Sequence, residues 1–73
     1  MYHYNIELTT ATDAAELVSI TSKLSGTITV TDGAGLCVNA KSVLGVLYSM
    51  EFAHLELQSE NEIYHLISKF IKS

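Results

Sequence analysis

Arginine, proline and tryptophan are missing from this chain, and cysteine occurs once, at position 37. Without arginine, four lysines face eight acidic residues, for a net charge of −4. Nucleic-acid binding draws on Lys and Arg to displace counterions from phosphates, so a chain with no basic run is not expected to bind nucleic acid. Cys37 alone permits no internal disulfide, which fits a reducing cytoplasm. It sits in a short apolar run with no histidine near it in sequence, which predicts a small buried hydrophobe and not a nucleophile. No apolar run approaches the ~20 residues of a membrane span, and Met-Tyr-His-Tyr-Asn lacks signal-peptide features. The expectation is a cytoplasmic protein without membrane attachment. With no proline, no Gly/Ser linker and no repeat, residues 1–73 read as a single domain. At this size about 60–65% of the unfolded surface is buried, so one thin core, drawn from the 48% of residues that are apolar, carries the stability.

What is present alternates between two periods. Tyr2, Tyr4, Ile6 and Leu8 interleave with His3, Asn5 and Glu7, the pattern of a half-buried strand. After the polar loop Thr9 to Thr12, Asp13-Ala-Ala-Glu16 reads as a capping box. Ala14, Leu17, Val18, Thr21 and Leu24 follow at helical spacing, widened by Ile20, and Gly26 is placed to end the helix. Thr27 to Thr31 alternates again, Asp32-Gly-Ala-Gly35 signals a hairpin turn, and Leu36 to Val38 is the return strand. Ser42 suits the N-cap of a brief helix from Val43 to about Met50. His54 to Gln58 forms a further strand, with Leu55 and Leu57 facing one way. Ser59-Glu-Asn-Glu62 reads as a second capping box, ahead of the stripe Ile63, Leu66, Ile67, Phe70 and Ile71. Lys69 and Lys72 fall near that helix's C-terminus, where its dipole favours cations. The order is β-α-β-β-α-β-α.

From Asn39 to Leu47 the chain reads Asn-Ala-Lys-Ser-Val-Leu-Gly-Val-Leu. This resembles the segment around the regulatory serine of HPr, the histidine-containing phosphocarrier of the bacterial sugar phosphotransferase system. Ser22-Lys23 resembles the pair closing that family's first helix, and the element order spans the whole chain. The resemblance implies an α+β, HPr-like open-faced β-sandwich: a four-stranded antiparallel sheet, order 1-4-2-3, with three helices on one face.

The chain also departs from the family. The phosphorylated histidine stands in a Gly-x-His-Ala-Arg-Pro-Ala string opening the first helix. Counting back from Ser22-Lys23 without gaps, its position falls on Thr10, the next alanine on Ala11, the arginine on Thr12 and the proline on Asp13. Only the alanine is kept. Transfer requires an imidazole nitrogen that carries a labile phosphoramidate at a helix mouth. Threonine would form a stable ester, a forked donor is lost with the arginine, and Asp13 brings negative charge. His3, His54 and His65 lie on the first strand, the last strand and the last helix, and read as surface or half-buried side chains. They show no metal-ligand spacing, with one another or with Cys37. No cofactor, metal or catalytic residue is expected. Glu60 and Glu62 read as cap residues, and the connection around Glu51-Phe52-Ala53 is shorter than in HPr.

By the same resemblance Ser42 matches the serine phosphorylated by HPr kinase/phosphorylase; its bland role is an N-cap worth about 1 kcal/mol. Val43, Leu44 and Leu47 match apolar positions of the family's partner surface, to which Lys41 is added as a neighbour. Val46 and Met50 are expected in the core, Leu44 and Leu47 at least partly exposed, and Lys41 at the rim. The expectation is a non-enzymatic regulatory or protein-binding module of the phosphotransferase system, monomeric or weakly dimeric. Its partners would be HPr kinase/phosphorylase, phosphotransferase-system enzymes or transcriptional regulators. The alternatives are a functional phosphocarrier and a drifted HPr-fold interaction domain.

Overall fold

The computed structural model describes residues 1–72. Alternating side chains lay down β1 (Tyr2–Asn5), β2 (Ile28–Thr31), β3 (Cys37–Asn39) and β4 (Glu56–Ser59) as one antiparallel sheet in the order β1-β4-β2-β3. Between the strands lie α1 (Ala11–Thr21), α2 (Val43–Ser49) and α3 (Tyr64–Ile67), the last continued by a 3-10 turn, Ser68–Phe70. The α+β class, element order and strand order are those expected.

Register explains why helices cover one face. Tyr4, Leu57, Val30 and Val38 stand side by side across all four strands, and Ser59 lies between Tyr2 and Ile28 in the next inward row. Leu57 and Val30 are fully buried against helix side chains that include Ala14, Leu17, Val46 and Ile67. The opposite rows, His3-Gln58-Thr29-Asn39 and Asn5-Glu56-Thr31-Cys37, are polar apart from the thiol and face water. An antiparallel sheet tolerates such a wet face.

Several boundaries differ from the sequence reading. The first strand stops at Asn5, and Ile6 continues as a single bridge to Ile71. Tyr2 points inward yet is exposed, because β1 is an edge. Helix α1 starts three residues early: Thr10 is its N-cap, and Asp13 is the box's third helical residue. Gly26 does hold a left-handed φ of +86°, but four residues beyond the C-cap Ser22, so it turns the chain into β2 and does not close the helix. The return strand is shifted by one, to Cys37–Asn39, which puts Cys37 on the wet face, exposed and not buried. The second capping box is absent: Ser59 ends β4, and its hydroxyl instead accepts from Asn61 N–H. Only four residues of the last helix are α-helical, and Leu66 falls outward from the expected stripe. Met50 is half-buried, while Val46 is core as expected.

Because Leu57 fills the middle of the inward face, Leu57→Ala should cost about 2–5 kcal/mol, a large part of the total stability of so small a domain. Urea denaturation followed by circular dichroism checks this. Thr29→Ala, on the wet face, should stay within about 0.5 kcal/mol of wild type.

Candidate functional site

Two helix starts carry the candidate residues. At the first, Asp13 folds back over the mouth of α1. Its Oδ2 accepts from the Thr9 hydroxyl at 2.7 Å, from Thr9 N–H at 3.0 Å and from Thr10 N–H at 3.3 Å. Thr10 Oγ1 reciprocates by accepting from Asp13 N–H at 3.2 Å. The chain's own carboxylate thus stands at the mouth of α1, bonded to the residues just before the helix. The Thr9 hydroxyl and amide, then Thr10 N–H and the more distant Lys69 cation, hold the Asp13 carboxyl below its ordinary value of 3.8. Lys69 itself is paired with Glu16, which raises its pKa. Thr12 is exposed within the first turn.

The histidines lie elsewhere. His3 projects from the wet face of β1, with Nδ1 2.7 Å from Glu56 Oε2. That contact, with a further donation from Gln58 Nε2, lowers the pKa of Glu56. His54 lies beside the Asp32 turn, its ring 3.8 Å from where a Cβ on Gly33 would stand. His65 is exposed on α3.

At the second start, the residues from Asn39 to Gly45 each perform a local task. Asn39 Oδ1 accepts from Lys41 N–H at 2.8 Å, and Asn39 O accepts from Ser42 N–H at 3.1 Å, turning the chain out of β3. Ser42 is the N-cap of α2, its Oγ accepting from Gly45 N–H at 3.1 Å. Gly45 lets the helix settle on the strand, since a Cβ there would stand 3.2 Å from Asn39 O. Lys41 is not a free rim charge: its Nζ reaches back 2.6 Å to Leu24 O, in the turn after α1. Thr21 Oγ1 donates to Ala40 O at 2.7 Å beside it. Together these bonds tie the end of α1 to the start of α2.

Helix α2 buries Val46 and Ser49 and turns its other side outward. Leu44 is 80% exposed and Val43 47%, while Leu47 is half-buried. Tyr48, not singled out from the sequence, is 57% exposed and one turn along from Leu44. Its ring meets Phe52 edge-on at 5.7 Å. The i, i+4 spacing of Leu44 and Tyr48 was the available signal; it was hidden because the helix is apolar on every side.

Comparison with protein-family models, with curated proteins and with solved structures gives no match to this chain.

Asp13's depressed pKa contributes stability that is complete above about pH 4 and lost as pH falls through the folded-state value. Asp13→Asn should therefore lie below wild type in midpoint temperature near neutral pH. The gap should narrow progressively below pH 4, while the acid slopes of Asp32 and Glu56, both also depressed, persist in the two proteins alike. Thermal melts across that range test it.

Proposed function

We propose that this chain is an HPr-like protein without histidine phosphocarrier activity, serving as a regulatory or protein-binding module that docks through α2. The observation that carries the reading is the occupied start of α1. A phosphocarrier site needs an imidazole there and amide donors free to receive the phosphoryl group. Here the Asp13 carboxylate lies at that mouth, bonded to Thr9 and Thr10 N–H, and Thr10 stands where the resemblance puts the histidine. An incoming dianion would meet the negative charge of that carboxylate.

Recognition by other proteins is supported by the other helix start. Val43, Leu44, Leu47 and Tyr48 form an apolar surface on α2, bounded by polar Ser42 and Asn39. Contiguous exposed apolar side chains next to a polar rim suit a protein interface. Leu44 and Tyr48 are the anchors, because they offer the most area. Ser42 Oγ sits at the border of this surface and already accepts from Gly45 N–H. A phosphate there would add about −1.5 to −2 charges beside the apolar anchors and so change which partner fits. On this reading HPr kinase/phosphorylase modifies Ser42, and transcriptional or transport regulators of the phosphotransferase system read the product.

Two incubations test the proposal. With phosphoenolpyruvate and the system's enzyme I, the chain should take up no acid-labile label; label on His3, His54 or His65 would restore the phosphocarrier alternative. With HPr kinase/phosphorylase and ATP, it should take up acid-stable label that disappears in Ser42→Ala. Absence of that label would leave an interaction domain unconnected with serine signalling.

A further inference from the structure

The wet face of the sheet carries an open cleft of about 460 Å³ between the start of β2 and the end of β3, within the roughly 300–1,000 Å³ of small-molecule sites. Its polar lining is Thr27 and Thr29 from the β2 segment, Cys37 and Asn39 from β3, and Lys41 just beyond. Internal hydrogen bonds fix two of these groups. Lys41 Nζ is anchored 2.6 Å from Leu24 O, which uses one of the ammonium's protons and leaves the others to donate. Asn39 Oδ1 accepts from Lys41 N–H at 2.8 Å, so the carboxamide is held by its oxygen and its NH2 group remains a donor. Among the described residues that line the cleft, none is acidic and none aromatic, although the chain holds eight acidic residues. Glu60 approaches Gly26 at its margin, with Oε1 3.2 Å from where a Cβ on that glycine would stand, without entering the lining. A second cleft, by the loop between α2 and β4, differs: it is smaller, about 160 Å³, and its lining sets Glu7 beside Lys72 and His54.

We propose that the β2–β3 cleft binds a small organic anion, a phosphate or carboxylate group carried on a short hydroxylated chain. Lys41 and the Asn39 NH2 group receive the anionic end, a cation and a neutral donor already held in place. The Thr27 and Thr29 hydroxyls, which donate and accept alike, match the hydroxyls of the chain. Three features of the lining select this class. The single charge in it is positive, so an anion is paired there and a cation is repelled. The volume is much larger than a lone inorganic ion fills, so the anionic group brings a body with it. Without an aromatic ring the cleft lacks the stacking surface that a nucleobase uses, and its hydroxyl and amide groups suit a polyol instead.

Amide chemical shifts of the full chain, titrated with gluconate and separately with glycerol 3-phosphate, test this. At least one of the two should give saturable shifts at Thr27, Thr29, Cys37, Asn39 and Lys41, and which one does so identifies the anionic group. Neutral sorbitol and inorganic phosphate should each bind about tenfold or more weakly, since each lacks one half of the ligand. The bound anion should also slow carbamidomethylation of Cys37 by iodoacetamide, as the thiol lies in the same lining. Lys41→Met should weaken binding by about tenfold or more, and Thr29→Ala, which leaves the fold undisturbed, by about threefold. Circular dichroism of both variants should match that of the wild type. Absence of saturable shifts with either anion overturns the proposal. Inorganic phosphate binding as well as the organic anions, an adventitious ion only, overturns it too. So do sorbitol binding equally well, and affinity unchanged in both variants.

Discussion

A sheet of four short strands can be covered on one side only when the covering layer is as small as three short helices, and the molecule is organised around that constraint. Leu57 is its centre. It stands on β4 with Tyr4 on one side and Val30 on the other, and is fully buried under the helices. The inward rows across β1, β4 and β2 fix which residues are core. They also fix which are wet, since neighbouring residues of a strand point to opposite faces. His3, Glu56 and Gln58 meet on the wet side for this reason, well away from the helix starts. The separation of His3 from the mouth of α1 is thus a consequence of strand register.

The helix layer is held by bonds between its ends as well as by apolar contact. Thr21, fully buried, donates to Ala40 O, and Lys41 reaches Leu24 O, so the loop that presents Ser42 is anchored to the close of α1. An N-cap held in this way has little freedom to move, and the side chains that follow it emerge in fixed directions. Leu44 and Tyr48 are therefore displayed, in contrast to loosely held side chains on a mobile loop. Such pre-organisation lowers the ordering cost of association.

Most of the architecture was legible in the sequence, and the residues explain where it was not. The alternation around Ile28 and Val30, the helical stripe from Ala14 to Thr21, and Ser42 as a cap all hold, because each rests on a period or cap with a direct steric cause. Asp13 misled because one carboxylate can serve at the first or the last position of a capping box, and Thr10 is the residue that decides. Cys37 misled because three residues do not establish a phase, and a shift of one reverses the face. Lys41 and Lys72 misled because long-range bonds to Leu24 O and Asn5 O leave no local mark. At the candidate site, Ser42 could be read as a cap residue, and Asp13 as part of a capping box though at its wrong end. The exposure of Tyr48 could not, since periodicity is silent in a helix apolar on all sides.

The wet face of the sheet has a consequence on the evolutionary scale. Fourteen apolar side chains are buried among the described residues, while the strand positions between them face water, where most replacements shift stability only slightly. A lineage built on this plan can rewrite the outward letters of every strand, and the loops that join them, with its architecture intact. Ancestry in such a molecule is recorded in the spacing of its interior more durably than in its spelling.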